Sequence, residues 1–141
     1  MLPLRHARRW RLASIILLTL VLLAALIPAA WFWPDSGDLV TWLVHADKWA
    51  HGLTFALLTI WFSGQYRRRS YWRIATGLIA FGMLIEAFQA VLSYRSAEWL
   101  DMVADVTGII IGLGVALAGL GGWSVWVENR LGRNRVEADV G

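Results

Sequence analysis

The stretch Glu86–Gly112, EAFQAVLSYRSAEWLDMVADVTGIIIG, decides how the chain reads. It sets Glu86, Gln89, Arg95, Glu98, Asp101 and Asp105 within or beside segments apolar enough to lie in a bilayer. An ionisable group at membrane depth is costly and needs a partner, a ligand or water, so the stretch marks a site before it names a fold.

Outward from this stretch, the apolar runs predict four membrane spans, at about 12–30, 47–65, 74–92 and 102–127. The first, Leu12–Ala30, holds nineteen residues without a charge, enough to cross about 30 Å of hydrocarbon. It exceeds a signal-peptide core, and Pro28-Ala29-Ala30-Trp31 lacks a clean cleavage site, so an uncleaved anchor is expected. The segment WFWPDSGDLVTWLVHADK that follows reads as an interfacial loop with a short amphipathic piece, its tryptophans at headgroup depth. The second span needs its ends counted from Asp47 to Gln65, with Lys48 snorkelling to the interface. In the fourth, the glycines at 108, 112, 114, 119, 121 and 122 suit close helix approach in lipid.

At 141 residues and 58% hydrophobic, the chain is expected to form one membrane domain, 1–141, with its motifs between 47 and 112. The expected fold is an all-α, integral membrane four-helix bundle. The formal net charge of +3 does not point to nucleic acid, because the basic residues stand at the ends of apolar runs. Lys and Arg number four in the N-terminal arm, one at Lys48, four between the second and third spans, one at Arg95 and three in the tail. This alternation predicts both termini in the cytoplasm and a multi-pass place in the bacterial cytoplasmic (inner) membrane. The chain has no cysteine, which leaves no disulfide or thiolate metal site.

Under that topology three polar stripes meet at the outer face. Asp47 and His51 are four residues apart on the second helix, Glu86 and Gln89 three apart on the third, and Asp101, Asp105, Gly108 and Gly112 form one face of the fourth. Plainer readings exist for each: Asp47 and Asp101 as helix N-caps, Lys48 as an interfacial anchor, Gly108 and Gly112 as packing, and the whole set as a structural ion-pair lock. Against the lock stands the surplus of acid, since Asp47, Glu86, Asp101 and Asp105 face only Lys48, Arg95 and a protonated His51. That surplus suits a proton, a metal ion or a cationic group on a ligand.

In order along the chain, Asp47-Lys48-x-x-His51, Glu86-x-x-Gln89 and Arg95-x5-Asp101-x3-Asp105-x2-Gly108 resemble the motifs of the VanZ-like family of small bacterial membrane proteins. Asp105 stands where that family commonly has Asn. The resemblance covers about 47–112 and implies a cell-envelope protein, its namesake being associated with teicoplanin resistance, without implying a reaction.

Two functions are open at this point. The first is binding of an anionic lipid headgroup or lipid-linked cell-wall precursor by Asp47, Lys48, His51, Glu86, Gln89, Arg95, Asp101 and Asp105. The second is a hydrolase or transferase acting on a lipid, with His51, Glu86, Asp101 and Asp105 as catalytic candidates and a divalent metal as an optional cofactor. The Arg95-x5-Asp101-x3-Asp105 spacing is similar to a motif of the type-2 phosphatidic acid phosphatases, but Asp replaces the nucleophilic His. The expected partner is a membrane lipid, and self-association is left open.

Overall fold

The computed structural model describes residues 1–27, 39–92 and 99–140, with the side chains of 39–47 and 133–140 outside the description. These residues form five α-helices: α1 (Ala7–Leu26), α2 (Leu39–Gln65), α3 (Tyr71–Val91), α4 (Trp99–Val115) and α5 (Trp123–Val140). A 3₁₀ turn at Arg68–Ser70 leads into α3, and a π-helical turn at Ala116–Leu120 ends α4. No strand occurs among the described residues. Three helical stretches, Ala7–Leu26, Arg68–Val91 and Trp99–Leu120, are long and apolar enough to cross a membrane.

The helix ends differ from those expected, for identifiable reasons. α1 starts at Ala7, five residues before Leu12, because Arg8, Arg9 and Arg11 ride on the helix and can extend their charged ends to headgroups. It stops at Leu26, four residues short of Ala30, since a residue before proline is disfavoured in the α region. Ile27, which precedes Pro28, is extended at φ −74° and ψ 131°. α2 starts at Leu39, so 39–47 belongs to a helix and not to an interfacial loop. Asp47 is therefore inside α2, where it cannot be the N-cap. Asp101 is the third residue of α4 and sits in its first turn, where a carboxylate meets the positive end of the helix dipole. The run expected at 102–127 is broken: Gly119 (φ 150°) and Gly122 (φ 80°) take left-handed backbone open to glycine, and the chain restarts as α5.

The packing is apolar outside and mixed inside. Leu12, Ile15, Ile16, Leu20 and Leu23 of α1 and Ile110 and Ile111 of α4 are exposed, whereas Thr59, Ser63, Gln65, Gln89 and Asp105 are buried. That inversion suits a lipid surround, where hydrocarbon side chains gain nothing by burial and polar ones do. Phe55, Leu58, Tyr71, Ile74, Leu78, Ile85, Ile109 and Ala116 form the apolar core between α2, α3 and α4.

α2 and α4 make the most extensive helix pair, and glycine is why. A Cβ at Gly108 would collide with the backbone of Gly52 and lie 3.1 Å from the Ala56 nitrogen. One at Gly112 would lie 2.6 Å from the Ala56 oxygen and 2.6 Å from the Thr59 Cβ. The two backbones touch, and this crossing brings the polar stripes of α2 and α4 together.

Candidate functional site

Lys48 and His51 lie on α2 and Asp101 and Asp105 on α4, so the close crossing sets an ammonium and an imidazole against two carboxyl groups. Lys48 Nζ donates to Asp101 Oδ1 at 3.4 Å, and His51 Nδ1 and Asp105 Oδ1 are 3.1 Å apart. The second pair is buried on both sides, while the Lys48 side chain is 25% exposed. At this depth the imidazole and the carboxyl group satisfy each other's hydrogen bond, since neither has bulk water. With Asp105 as the carboxylate, the His51 proton on Nδ1 is the one donated, which fixes the ring's orientation.

α3 closes the third side. A Cβ on Gly82 would lie 2.6 Å from Asp105 Oδ2 and 3.3 Å from the Phe55 ring, so the Asp105 carboxylate occupies the space an α3 side chain would take. Glu86 and Gln89 continue the same buried face of α3, at 8% and 0% exposed. Gln89 Nε2 donates to the Ala25 carbonyl at the end of α1, at 2.9 Å. Its Oε1 is buried and has no hydrogen-bond partner among the described residues.

The structure thus joins Lys48 to Asp101 and His51 to Asp105, and puts Gln89 at the α1–α3 contact. Glu86 is buried one turn beyond Gly82 on that face of α3. The Asp47 side chain, Arg95 and Glu98 lie outside the described residues. Among the described residues no three His, Asp or Glu side chains converge as a metal-ligand set. Beside His51, a cavity of about 210 Å³ opens between α1, α2 and α3, lined by Val21, Ala24, Ala25, Thr54, Phe55 and Ile85 among others.

A second polar cluster, at the opposite end of the helices, has no counterpart in the sequence reading. The Glu128 carboxylate on α5 accepts the backbone N–H groups of Arg5 (2.7 Å) and His6 (2.9 Å) and the Trp10 indole N–H (3.0 Å). It thereby supplies the N-terminus of α1 with the negative charge that α1's own first turn lacks. Burial pushes the Glu128 carboxyl up, but the bonds from His6, Arg5 and Trp10, with the His6 charge, outweigh it and hold it below the usual glutamate range. Trp10, Trp61 and Trp123 pack mutually with ring centroids 5.4–5.6 Å apart. The Trp61 indole N–H donates to Ser14 Oγ, and Gln65 Nε2 donates to the same oxygen. Gln65 and Ser14 are 51 residues apart and Glu128 is more than a hundred from Trp10, so no local spacing announces the cluster.

Comparison with family models, curated proteins and solved structures finds no match.

Proposed function

We propose that the chain is a multi-pass protein of the bacterial cytoplasmic membrane that holds an anionic lipid headgroup, or the headgroup of a lipid-linked envelope precursor, at the extracytoplasmic end of a four-helix bundle. α2 is the fourth span in this reading: its 27 residues extend about 40 Å, longer than the hydrocarbon core. The clusters of Arg at 5–11 and at 67–73 support a cytoplasmic Glu128 end and an outer Lys48 end. The resemblance of the 47–112 motifs to those of VanZ-like proteins agrees with an envelope role.

The observation that carries the reading is the stacking of Lys48–Asp101 and His51–Asp105 along one helix crossing. The Lys48 ammonium can exchange its carboxylate for a phosphate oxygen, and the His51 ring N–H can donate to a phosphate oxygen in place of Asp105. Lys48, the more exposed, makes the first contact. The His51–Asp105 bond also favours a second reading, catalysis on the bound lipid, because a carboxylate-oriented imidazole is suited to general base work.

The test reconstitutes the full chain in phosphatidylcholine nanodiscs doped with phosphatidylglycerol and reads retained lipid by native mass spectrometry. Wild type enriches the anionic lipid. Lys48→Gln combined with Asp101→Asn, which keeps the pair neutral, lowers enrichment about tenfold, the equivalent of one charge-assisted hydrogen bond. Equal enrichment refutes headgroup binding and leaves the pairs as a structural lock. Orientation is tested separately: alkaline phosphatase fused after Gly141 is inactive and fused near Ser36 is active.

A further inference from the structure

We infer that a groove between α1, α2 and α3, at the Glu128 end of the bundle, seats an acyl chain of an anionic phospholipid with the Arg73 guanidinium on its phosphate. The inference takes its membrane setting from the reading above. Its site shares no residue with the Lys48–Asp101 and His51–Asp105 pairs, and Gln65, beside its mouth, stands about 25 Å from Lys48 along α2.

The first observation is a gradient of polarity along the groove. Tyr66, just beyond α2, and Ser70 and Arg73, where α3 begins, form its mouth. Phe62, one turn back along α2, faces Leu78 and Phe81 of α3 across the apolar part, and Leu18 borders it from α1. Arg73 and Phe81 are eight residues apart, so the wall runs about 12 Å from the charged turn into hydrocarbon depth. At about 340 Å³, the groove is more than twice the roughly 150 Å³ that admits benzene, so it takes a length of acyl chain.

Gly77 is the second observation. It lies four residues from both Arg73 and Phe81, on the same face of α3, and lines the groove. A Cβ built there meets nothing within 4 Å. At Gly108 and Gly112 the missing side chain admits a neighbouring helix, whereas at Gly77 no described part of the chain takes the space. The walls around it are built, since Leu18, Phe62, Tyr66 and Phe81 pack against the apolar core.

The third is charge. Arg67, Arg68, Arg69 and Arg73 crowd the turn at the mouth, and among the described residues no carboxylate pairs with any of them. Arg68 donates to the Leu117 carbonyl, which leaves Arg73 as the arginine that lines the groove. No acidic side chain lines it among the described residues, so the mouth suits a phosphate without a compensating ammonium. The Arg73 guanidinium is held 5.2 Å from the centroid of the exposed Trp72 ring, at the depth where interfacial tryptophans meet headgroups. An arginine can give a phosphate two parallel N–H bonds, and the Tyr66 and Ser70 hydroxyls line the same mouth as further donors.

The test uses two photoactivatable lipids with the same diazirine-bearing acyl chain, one with a phosphatidylglycerol and one with a phosphatidylcholine headgroup. Each is doped into phosphatidylcholine nanodiscs holding the full chain, and adducts are mapped by peptide mass spectrometry. Adducts on the exposed Leu20 and Ile110 measure ordinary contact with bulk lipid. Relative to that standard, the glycerol probe is expected to label Phe62 and the 74–81 segment about tenfold more than the choline probe, the equivalent of one charge-assisted bond. Arg73→Gln brings the two probes level. Gly77→Leu, which fills the groove and alters no charge, removes the excess labelling. Should Arg73→Gln not fold, Gly77→Leu and the wild-type comparison of probes decide. Equal labelling by the two probes, or an excess that survives Gly77→Leu, overturns the site. Because a groove lipid is also counted in retained lipid, the Lys48→Gln, Asp101→Asn comparison is repeated in the Gly77→Leu background. Groove labelling that persists while that comparison shows no change supports this site and refutes the headgroup reading at Lys48 alone.

Discussion

A single methyl group at Gly108 measures how much the α2–α4 crossing contributes. The Cβ of Gly108→Ala would meet backbone, the Gly52 carbonyl group and the Ala56 nitrogen, and backbone cannot rotate aside as a side chain can. α4 must back away, and it carries Asp101 and Asp105 with it. The Lys48–Asp101 contact, at 3.4 Å, is already long and is lost first. Overpacking in a close contact costs about 1–3 kcal/mol, and weakening the pairs brings the expected loss to about 3 kcal/mol. Gly114→Ala is the control: its Cβ meets nothing within 4 Å, and replacing a helical glycine gains about 0.5–1 kcal/mol. Reversible unfolding of the purified protein by dodecyl sulfate titration in mixed micelles should separate the two variants by about 3–4 kcal/mol. If they differ by less than about 1 kcal/mol, the backbones do not touch and the account of how the acid–base pairs are held falls with that contact.

Two further outcomes follow from the polar clusters. Asp105→Asn keeps an oxygen for the His51 N–H and is expected to cost about 1 kcal/mol or less, whereas Asp105→Ala empties the space against Gly82 and costs about 2–4 kcal/mol by the same titration; equal losses would show that the carboxamide does not replace the carboxylate. Glu128, held below its ordinary value of 4.5, binds its proton more readily in the unfolded chain, so its contribution is complete above about pH 4.5 and is lost as pH falls through the lower folded value. The melting difference between wild type and Glu128→Gln should therefore shrink between pH 6 and pH 3; a difference that is constant across that range refutes the assignment.

The apolar runs of α1, α3 and α4 were legible because about twenty mostly hydrocarbon residues in a row have few other uses. Their ends were not, because arginines, Asp47 and the residues from Leu39 onward are compatible with either a helix or an interfacial loop. The glycines of the fourth run also carry two meanings that composition does not separate. Gly108 and Gly112 admit a neighbouring helix, while Gly119 and Gly122 turn the chain through left-handed backbone. At the site, the spacing of Lys48 and His51, and of Asp101 and Asp105, shows that each pair shares a helix face. Which of Lys48 and His51 meets which carboxyl group is a matter of register between helices and needed the Gly52–Gly108 contact. The Gln89 oxygen, without a partner among the described residues, had no signature at all, since a glutamine in a span reads alike whether one end of its amide or both are bonded.

The bond between Glu128 and the start of α1 has a consequence for how the protein is made. Its partners are separated by 122 and 123 residues, nearly the whole chain. At roughly 5–20 residues per second, α1 is synthesised some 6–25 s before the carboxylate that completes its N-terminus. During that interval the Arg5 and His6 amides depend on other partners, and Trp10 and Trp61 await Trp123. Assembly of this end of the bundle is then a late step, in which α5, translated well after α1, secures it.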